Sequence, residues 1–429
     1  MHPKGYKGDR AQIVRLLAFM YVVLTVVSFA TLWKRFDVNF FDLQLYYKSG
    51  LSLIQRQLPY RDFPLEYPPF ALVPMVLPQI VNFGRRFGWD LAFGSYVGLF
   101  FLENAIFSSA IALLLLQVRQ YWQSRQRSLW MLKAYIILAI ISAPILPWRY
   151  DLFPALLTLL AFGSILQGRA TIAGIWLGLG ILTKLYPVVL LPIFVSYYLA
   201  SKKYRSLLNL LLGCLGATCV ILLPLALVTQ GEMLSFLKYH QLRGLQVESF
   251  AAGIICLAHI LQLTKISLVL NYGAFHLVSP LADGVLKWLP LISILAFVGV
   301  ISSCLIRFRR EYAIAGKISA DSLTTYIIAA LLTFMVTSKV FSPQYIIWLL
   351  PFAPLLRPRQ FWLMVAIFAM TIGIFPAAYS HLLGMQVPSV LLLNLRNFSI
   401  LALLLWLLIK PQPTIAKIQP LQQRRSVSV

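Results

Sequence analysis

Apolar runs of about 20 residues recur from one end of this chain to the other, and no other feature constrains its fold as strongly. Such a run crosses roughly 30 Å of hydrocarbon as an α-helix. In lipid a helix satisfies its own backbone hydrogen bonds, so the runs imply an all-α integral membrane protein. Of the 429 residues 60% are hydrophobic and only 12% charged, too few charges to cover a water-soluble surface. The strand alternation of a membrane β-barrel is absent.

The formal net charge is +24. In this setting it reads as basic loops facing the cytoplasm and anionic lipid, and no compact basic-aromatic module suggests a nucleic-acid partner. Cys214, Cys219, Cys256 and Cys304 form no CxxC and suggest neither a disulfide framework nor a zinc site. The first apolar run reads as an uncleaved anchor, being longer than a signal-peptide core.

Apolar length predicts 12 spans, at 11–33, 91–117, 130–147, 152–167, 170–185, 187–201, 206–228, 287–306, 321–338, 343–356, 360–379 and 391–409. With both termini inside, the inner segments collect Lys202, Lys203, Arg205, Arg307, Arg309, Arg310, Lys317, Arg357 and Arg359, as the positive-inside rule requires. Two further apolar stretches, 68–81 and 249–263, are read as short surface helices, because counting either as a span would turn basic loops outward. The expectation is one polytopic domain over 1–410, outer loops at 34–90 and 229–286, and a basic cytoplasmic tail at 411–429. Of the 13 carboxylates, all but Asp9, Glu103, Glu311 and Asp321 then fall on the outer side. Polar chemistry is gathered on one face.

Several outer residues could carry that chemistry. Asp42 and Tyr46 share a helix face. Asp42 suits a general base on an acceptor hydroxyl, or a first-turn helix acid. Glu66 and Tyr67 precede Pro68 and Pro69 in a rigid turn, which either presents them to a site or is a plain surface turn. Lys184 and Lys339 sit at span ends, where each could bind a lipid phosphate or snorkel to the headgroups. Pro343 after Lys339 starts a segment whose dipole favours an anion. Arg243 suits bidentate phosphate contact. Glu248 and Ser249 could instead cap the next short helix. Glu103 lies mid-span with no assigned role, and His240, His259, His276 and His381 fall on the outer side without a pattern.

Taken in order, these motifs resemble a known family. The run is Asp42-Leu-Gln-Leu-Tyr46, Glu66-Tyr-Pro-Pro69, Thr183-Lys184-Leu-Tyr-Pro187, Arg243-Gly-Leu-Gln-Val-Glu-Ser249 and Ser342-Pro-Gln-Tyr345-Ile-Ile-Trp348. It resembles glycosyltransferase family 87, polyprenyl-phosphate-mannose-dependent mannosyltransferases of the GT-C class. It is more distantly similar to the first mannosyltransferase of glycosylphosphatidylinositol synthesis.

The resemblance implies a GT-C helical bundle in the plasma (inner) membrane, with its site on the outer, periplasmic side. The donor would be a hexose, mannose above all, on a polyprenyl phosphate, and the acceptor a lipid or glycan. It implies an inverting transfer with Asp42 as general base, Asp37 being close enough to serve instead. Lys339, Arg243 and Lys184 would hold the donor phosphate. Tyr46, Glu66, Tyr67, Glu248, Gln344 and Tyr345 would shape the site, and neither metal nor cofactor would be required. Two other classes fit less well. A transporter of lipid-linked sugars should place charges along a midplane pathway between symmetric halves. A polymerase or ligase of lipid-linked oligosaccharides should carry its large loop late in the chain.

Overall fold

A computed structural model describes residues 6–34, 36–79, 93–118, 121 and 126–409. The expected tail at 411–429, Asp90 and the side chain of Asp37 lie outside the described residues. The chain is an integral membrane protein built almost wholly of helices. It opens with α1 (Tyr6–Lys34), α2 (Phe36–Ile54) and the short α3 (Leu72–Val76). Next come α4 (Phe93–Val118), α5 (Gln126–Ile141), α6 (Leu152–Leu166), α7 (Ala170–Thr183), α8 (Leu191–Ala200) and α9 (Tyr204–Thr229). After α10 (Ser235–Leu242) and α11 (Phe250–Ile260) follow α12 (Pro280–Ala315), α13 (Ala320–Thr337), α14 (Pro358–Ile372), α15 (Tyr379–Leu383) and α16 (Val387–Ile409).

Among the described residues, six helices are long and apolar enough to cross a membrane: α4, α9, α12, α13, α16 and α14 with its continuation to Ala377. They differ in what surrounds them. α13 is the bundle's centre, with Leu323 and Ile327 to Leu332 fully enclosed by protein. α9 and α12 turn Leu212, Leu215, Val220, Leu223, Ile294 and Leu295 outward. An apolar face of that extent is stable only against hydrocarbon.

Proline explains where the helices depart from the spans expected at 130–147, 187–201 and 343–356. α5 ends at Ile141, ahead of Pro144 and Pro147. The segment around Pro187 is a 3₁₀ helix, Tyr186–Leu190, and becomes α8 only at Leu191. The stretch 343–356 is two 3₁₀ pieces, Pro343–Leu349 and Ala353–Leu355, parted at Pro351. Each proline removes an N–H from the α ladder and crowds the preceding turn. Irregular backbone is tolerated in a membrane protein where other protein encloses it, and Ile346 to Leu350 are buried.

The two uncounted stretches form α3 and α11, of 5 and 11 residues, too short to cross roughly 30 Å at 1.5 Å per residue. α12 is 36 residues long and starts at Pro280 rather than 287. Ser279 caps it, accepting a 3.1 Å bond from the Ala282 N–H, with Pro280 at the first helical position.

Between α10 and α12 lies a small antiparallel sheet that the sequence reading did not foresee. β1 (Leu245–Gln246) and β2 (Ser267–Asn271) flank β3 (Ala274–Val278), giving the order β1-β3-β2. Tyr272 and Gly273 join β2 to β3 with φ of 47° and 68°, the left-handed pair that a tight hairpin turn requires.

α7 and α9 pack at close range. A Cβ on Gly174 would collide with the carbonyl oxygen of Leu210, and one on Gly213 with that of Thr171. This is small-residue packing of the kind that holds helices together where burial from water offers no drive. Gly174→Ala is expected to destabilise the protein by about 1–3 kcal/mol, read as a lower thermal midpoint in detergent.

Candidate active site

One cavity of about 290 Å³ gathers most of the residues singled out above. Asp42, Glu66, Tyr67, Lys184, Arg243, Lys339, Gln344 and Tyr345 all line it. Helix ends and short connections bring them together. Asp42 comes from α2, Lys184 from the residue that closes α7, Arg243 from the end of α10, and Lys339 from just beyond α13. Tyr272 and Gly273, at the hairpin tip, complete one wall.

Asp42 does not stand alone. Its Oδ2 is 3.0 Å from Nη2 of Arg149, whose side chain is 5% exposed while that of Asp42 is 24% exposed. The guanidinium is buried behind the carboxylate, and the carboxylate keeps a face to the cavity. Arg149 Nη1 also donates to the Trp148 carbonyl at 3.3 Å. One helical turn beyond Asp42, Tyr46 is buried below it. Its ring meets Tyr150 at 5.3 Å, Phe100 at 5.8 Å and Tyr67 at 6.2 Å in edge or tilted contacts. Tyr46 thus supports Asp42 from beneath and does not line the cavity.

Lys184 is already partnered. Its Nζ donates to Asp151 Oδ1 at 2.7 Å, and that carboxylate is completely buried. Trp348 Nε1 donates to the same oxygen at 2.6 Å. The ammonium also lies 5.0 Å from the Tyr150 ring centre and 5.6 Å from that of Trp348. Trp348 stacks on Tyr186 at 4.1 Å and on Tyr345 at 3.9 Å, a run of three rings along the cavity floor.

Arg243 and Lys339 are different. Among the described residues neither is in an ion pair. Lys339 Nζ donates to the Gln241 carbonyl at 2.7 Å. Burial, and then the charge of Arg243, hold its ammonium below the usual lysine range. Two cations repelling each other in a cavity wall are relieved when an anion settles between them. His240 also lines the cavity, alone among the outer histidines. Burial, with Arg243, Lys184 and Lys339 adding, pushes its pKa down to about 4, so its ring is neutral near pH 7. The positive charge here belongs to Arg and Lys.

Glu248 is not at the cavity. It is 2% exposed and accepts from Gln246 Nε2 at 2.8 Å. Burial raises it to about 7, against the charge of Arg396 and the Gln246 bond. Ser249 beside it caps α11, accepting from the Ala252 N–H at 3.2 Å. Arg396 of α16 donates to the Glu248 carbonyl at 2.8 Å and lies 3.9 Å from the Phe341 ring centre. The Gln246 N–H donates to the Lys339 carbonyl at 2.9 Å. This buried cluster braces the segments that carry Arg243 and Lys339. No group of three or more His, Cys, Asp or Glu among the described residues is arranged to hold a metal ion.

A family model for glycosyltransferase family 87 matches residues 65–343, more than half of the chain and most of the cavity. The chain belongs to glycosyltransferase family 87. It is therefore a membrane glycosyltransferase, with a sugar donor and an acceptor as its substrates. No curated protein matches the chain.

In the glycosyltransferase Asp42 precedes the matched range and Gln344 and Tyr345 directly follow it, yet the fold returns all of them to the cavity walls. Residue reasoning missed Arg149, and counted Asp151 only as one of the outer acids. The signal was local. Trp148-Arg-Tyr-Asp151 places two charges between apolar segments, where an unpaired charge is costly. Tyr239 on α10 and Tyr272 at the hairpin tip line the cavity and were also missed, both in the outer segment whose hairpin went unread.

Proposed function

We propose that the enzyme transfers a hexose, mannose above all, from a polyprenyl-phosphate donor to a lipid or glycan acceptor at the outer face of the plasma membrane. The charge pattern of the cavity carries this reading: a partly exposed carboxylate, Asp42, shares one space with two cations, Arg243 and Lys339, that have no carboxylate partner among the described residues. In an inverting transfer Asp42 takes the proton of the acceptor hydroxyl as that oxygen attacks the anomeric carbon. The bond from that carbon to the phosphate oxygen breaks, and its electron pair leaves with the polyprenyl phosphate. Arg243 and Lys339 stabilise the charge that builds on the leaving phosphate. Arg149, behind Asp42, keeps the base turned to the cavity. Asp37 is the other candidate base, five residues earlier on α2.

The charge pattern supports this sidedness. Lys202 and Lys203 follow the end of α8, Arg307, Arg309 and Arg310 lie in the last turns of α12, and Arg357 and Arg359 flank the start of α14. These are the helix ends remote from the segments that line the cavity, and a basic end belongs in the cytoplasm with both termini.

Lys339→Met and Arg243→Met test the phosphate assignment. Each is expected to raise the donor KM or Kd about 10- to 100-fold, the worth of one charge-assisted hydrogen bond, with a smaller change in acceptor KM. Donor affinity equal to wild type in both variants would refute the assignment.

A further inference from the structure

The cavity holds a second carboxylate that the transfer chemistry leaves idle. Glu66 lines it together with Asp42, but the two acids are held differently. Asp42 is paired with a guanidinium. Glu66 is in no ion pair among the described residues and is flanked in the cavity wall by two successive residues of α10, Tyr239 and His240. The Tyr239 hydroxyl lies toward its carboxylate and the His240 ring toward its backbone carbonyl. A carboxylate accepts about four hydrogen bonds, so most of its capacity faces the cavity unused.

Its position is also informative. Glu66 shares the cavity with both Asp42 and Arg243 and feels the charge of each. The transferred sugar has to occupy that space, because its anomeric carbon meets the acceptor oxygen on one side and the phosphate oxygen on the other. The rings of Tyr67, Tyr239 and Tyr272 line the same space. Flat aromatic surfaces with a carboxylate at their edge suit a pyranose, which offers C–H faces and a rim of hydroxyls. Burial lifts the Glu66 carboxyl above the usual range, opposed by the Tyr239 bond and Arg243. Sugar hydroxyls donating to it would favour the charged form in the same way.

We propose that Glu66, flanked by Tyr239 and His240, accepts hydrogen bonds from hydroxyls of the transferred hexose and so decides which sugar is transferred. The assignment rests on reading the cavity as a polyprenyl-phosphate-hexose site. The test uses the full-length enzyme in lipid nanodiscs, a membrane lipid extract as acceptor, and polyprenyl-phosphate-mannose beside donors lacking a single sugar hydroxyl. Wild type should lose about 10- to 100-fold in kcat/KM with the donor that lacks the hydroxyl bound by Glu66. Glu66→Ala should then transfer that deoxy sugar as fast as the parent hexose, and Tyr239→Phe should lose part of the discrimination. Should Glu66→Ala not purify as folded protein, Glu66→Gln, of the same size, carries the comparison. If the Glu66 variants slow parent and deoxy donors by one common factor, Glu66 is structural and the proposal falls, while the transferase reading stands. If wild type uses no polyprenyl-phosphate hexose, that reading falls and takes this assignment with it.

Discussion

Asp42→Asn is expected to lower turnover by about 10²- to 10⁴-fold, the range that one positioned general base contributes. Donor affinity should be nearly unchanged, because the amide keeps the shape of the carboxylate and the proposed phosphate ligands are Arg243 and Lys339. The variant should also fold. The Asp42 side chain is 24% exposed, and Arg149, although it loses its counter-charge, keeps its bond to the Trp148 carbonyl. The check is a kcat and KM measurement on both proteins with expression and thermal midpoint alongside. Near-wild-type turnover in the variant would move the base to Asp37 or to another acid.

The second large effect concerns stability. Lys184→Met leaves the completely buried Asp151 without an ion-pair partner among the described residues, with the Trp348 N–H still donating to it. Removing one partner of a buried pair typically costs about 3–5 kcal/mol, and a marked fall in thermal midpoint is expected. The double variant Asp151→Asn, Lys184→Met should recover much of the loss, because no charge is then stranded. This outcome would make Lys184 a brace for the ring stack of Tyr186, Trp348 and Tyr345. Unaltered stability together with a raised donor KM would instead make it a phosphate ligand.

Much of this architecture was legible in the sequence, for definite physical reasons. Apolar length announces a span because the bilayer has a fixed thickness, and α4, α9 and α16 lie where that length puts them. Proline-rich stretches were harder. Residues 343–356 are apolar enough to read as a helix, yet Pro343, Pro351 and Pro354 break it into 3₁₀ pieces. The β2-β3 hairpin escaped because its strands are short and its Asn271-Tyr272-Gly273 turn lies among apolar residues that suit either structure. At the site, Asp42, Glu66, Arg243 and Lys339 could be singled out one by one, since an acid or cation beside a span has few ordinary reasons to be there. Their partners could not. Arg149 reaches Asp42, and Asp151 reaches Lys184 and Trp348, across separations that only tertiary packing determines. That pairing divides the cavity cations into one in an ion pair and two with no ion pair among the described residues.

The most direct test of the central claim is to incubate purified wild-type protein in lipid nanodiscs with polyprenyl-phosphate-mannose and a membrane lipid extract, and to follow all lipids by mass spectrometry. The account predicts consumption of the donor, release of free polyprenyl phosphate, and one added hexose on an acceptor in the extract. Donor that stays intact there, and that in sealed vesicles only changes leaflet, would contradict it and make the protein a carrier of lipid-linked sugar.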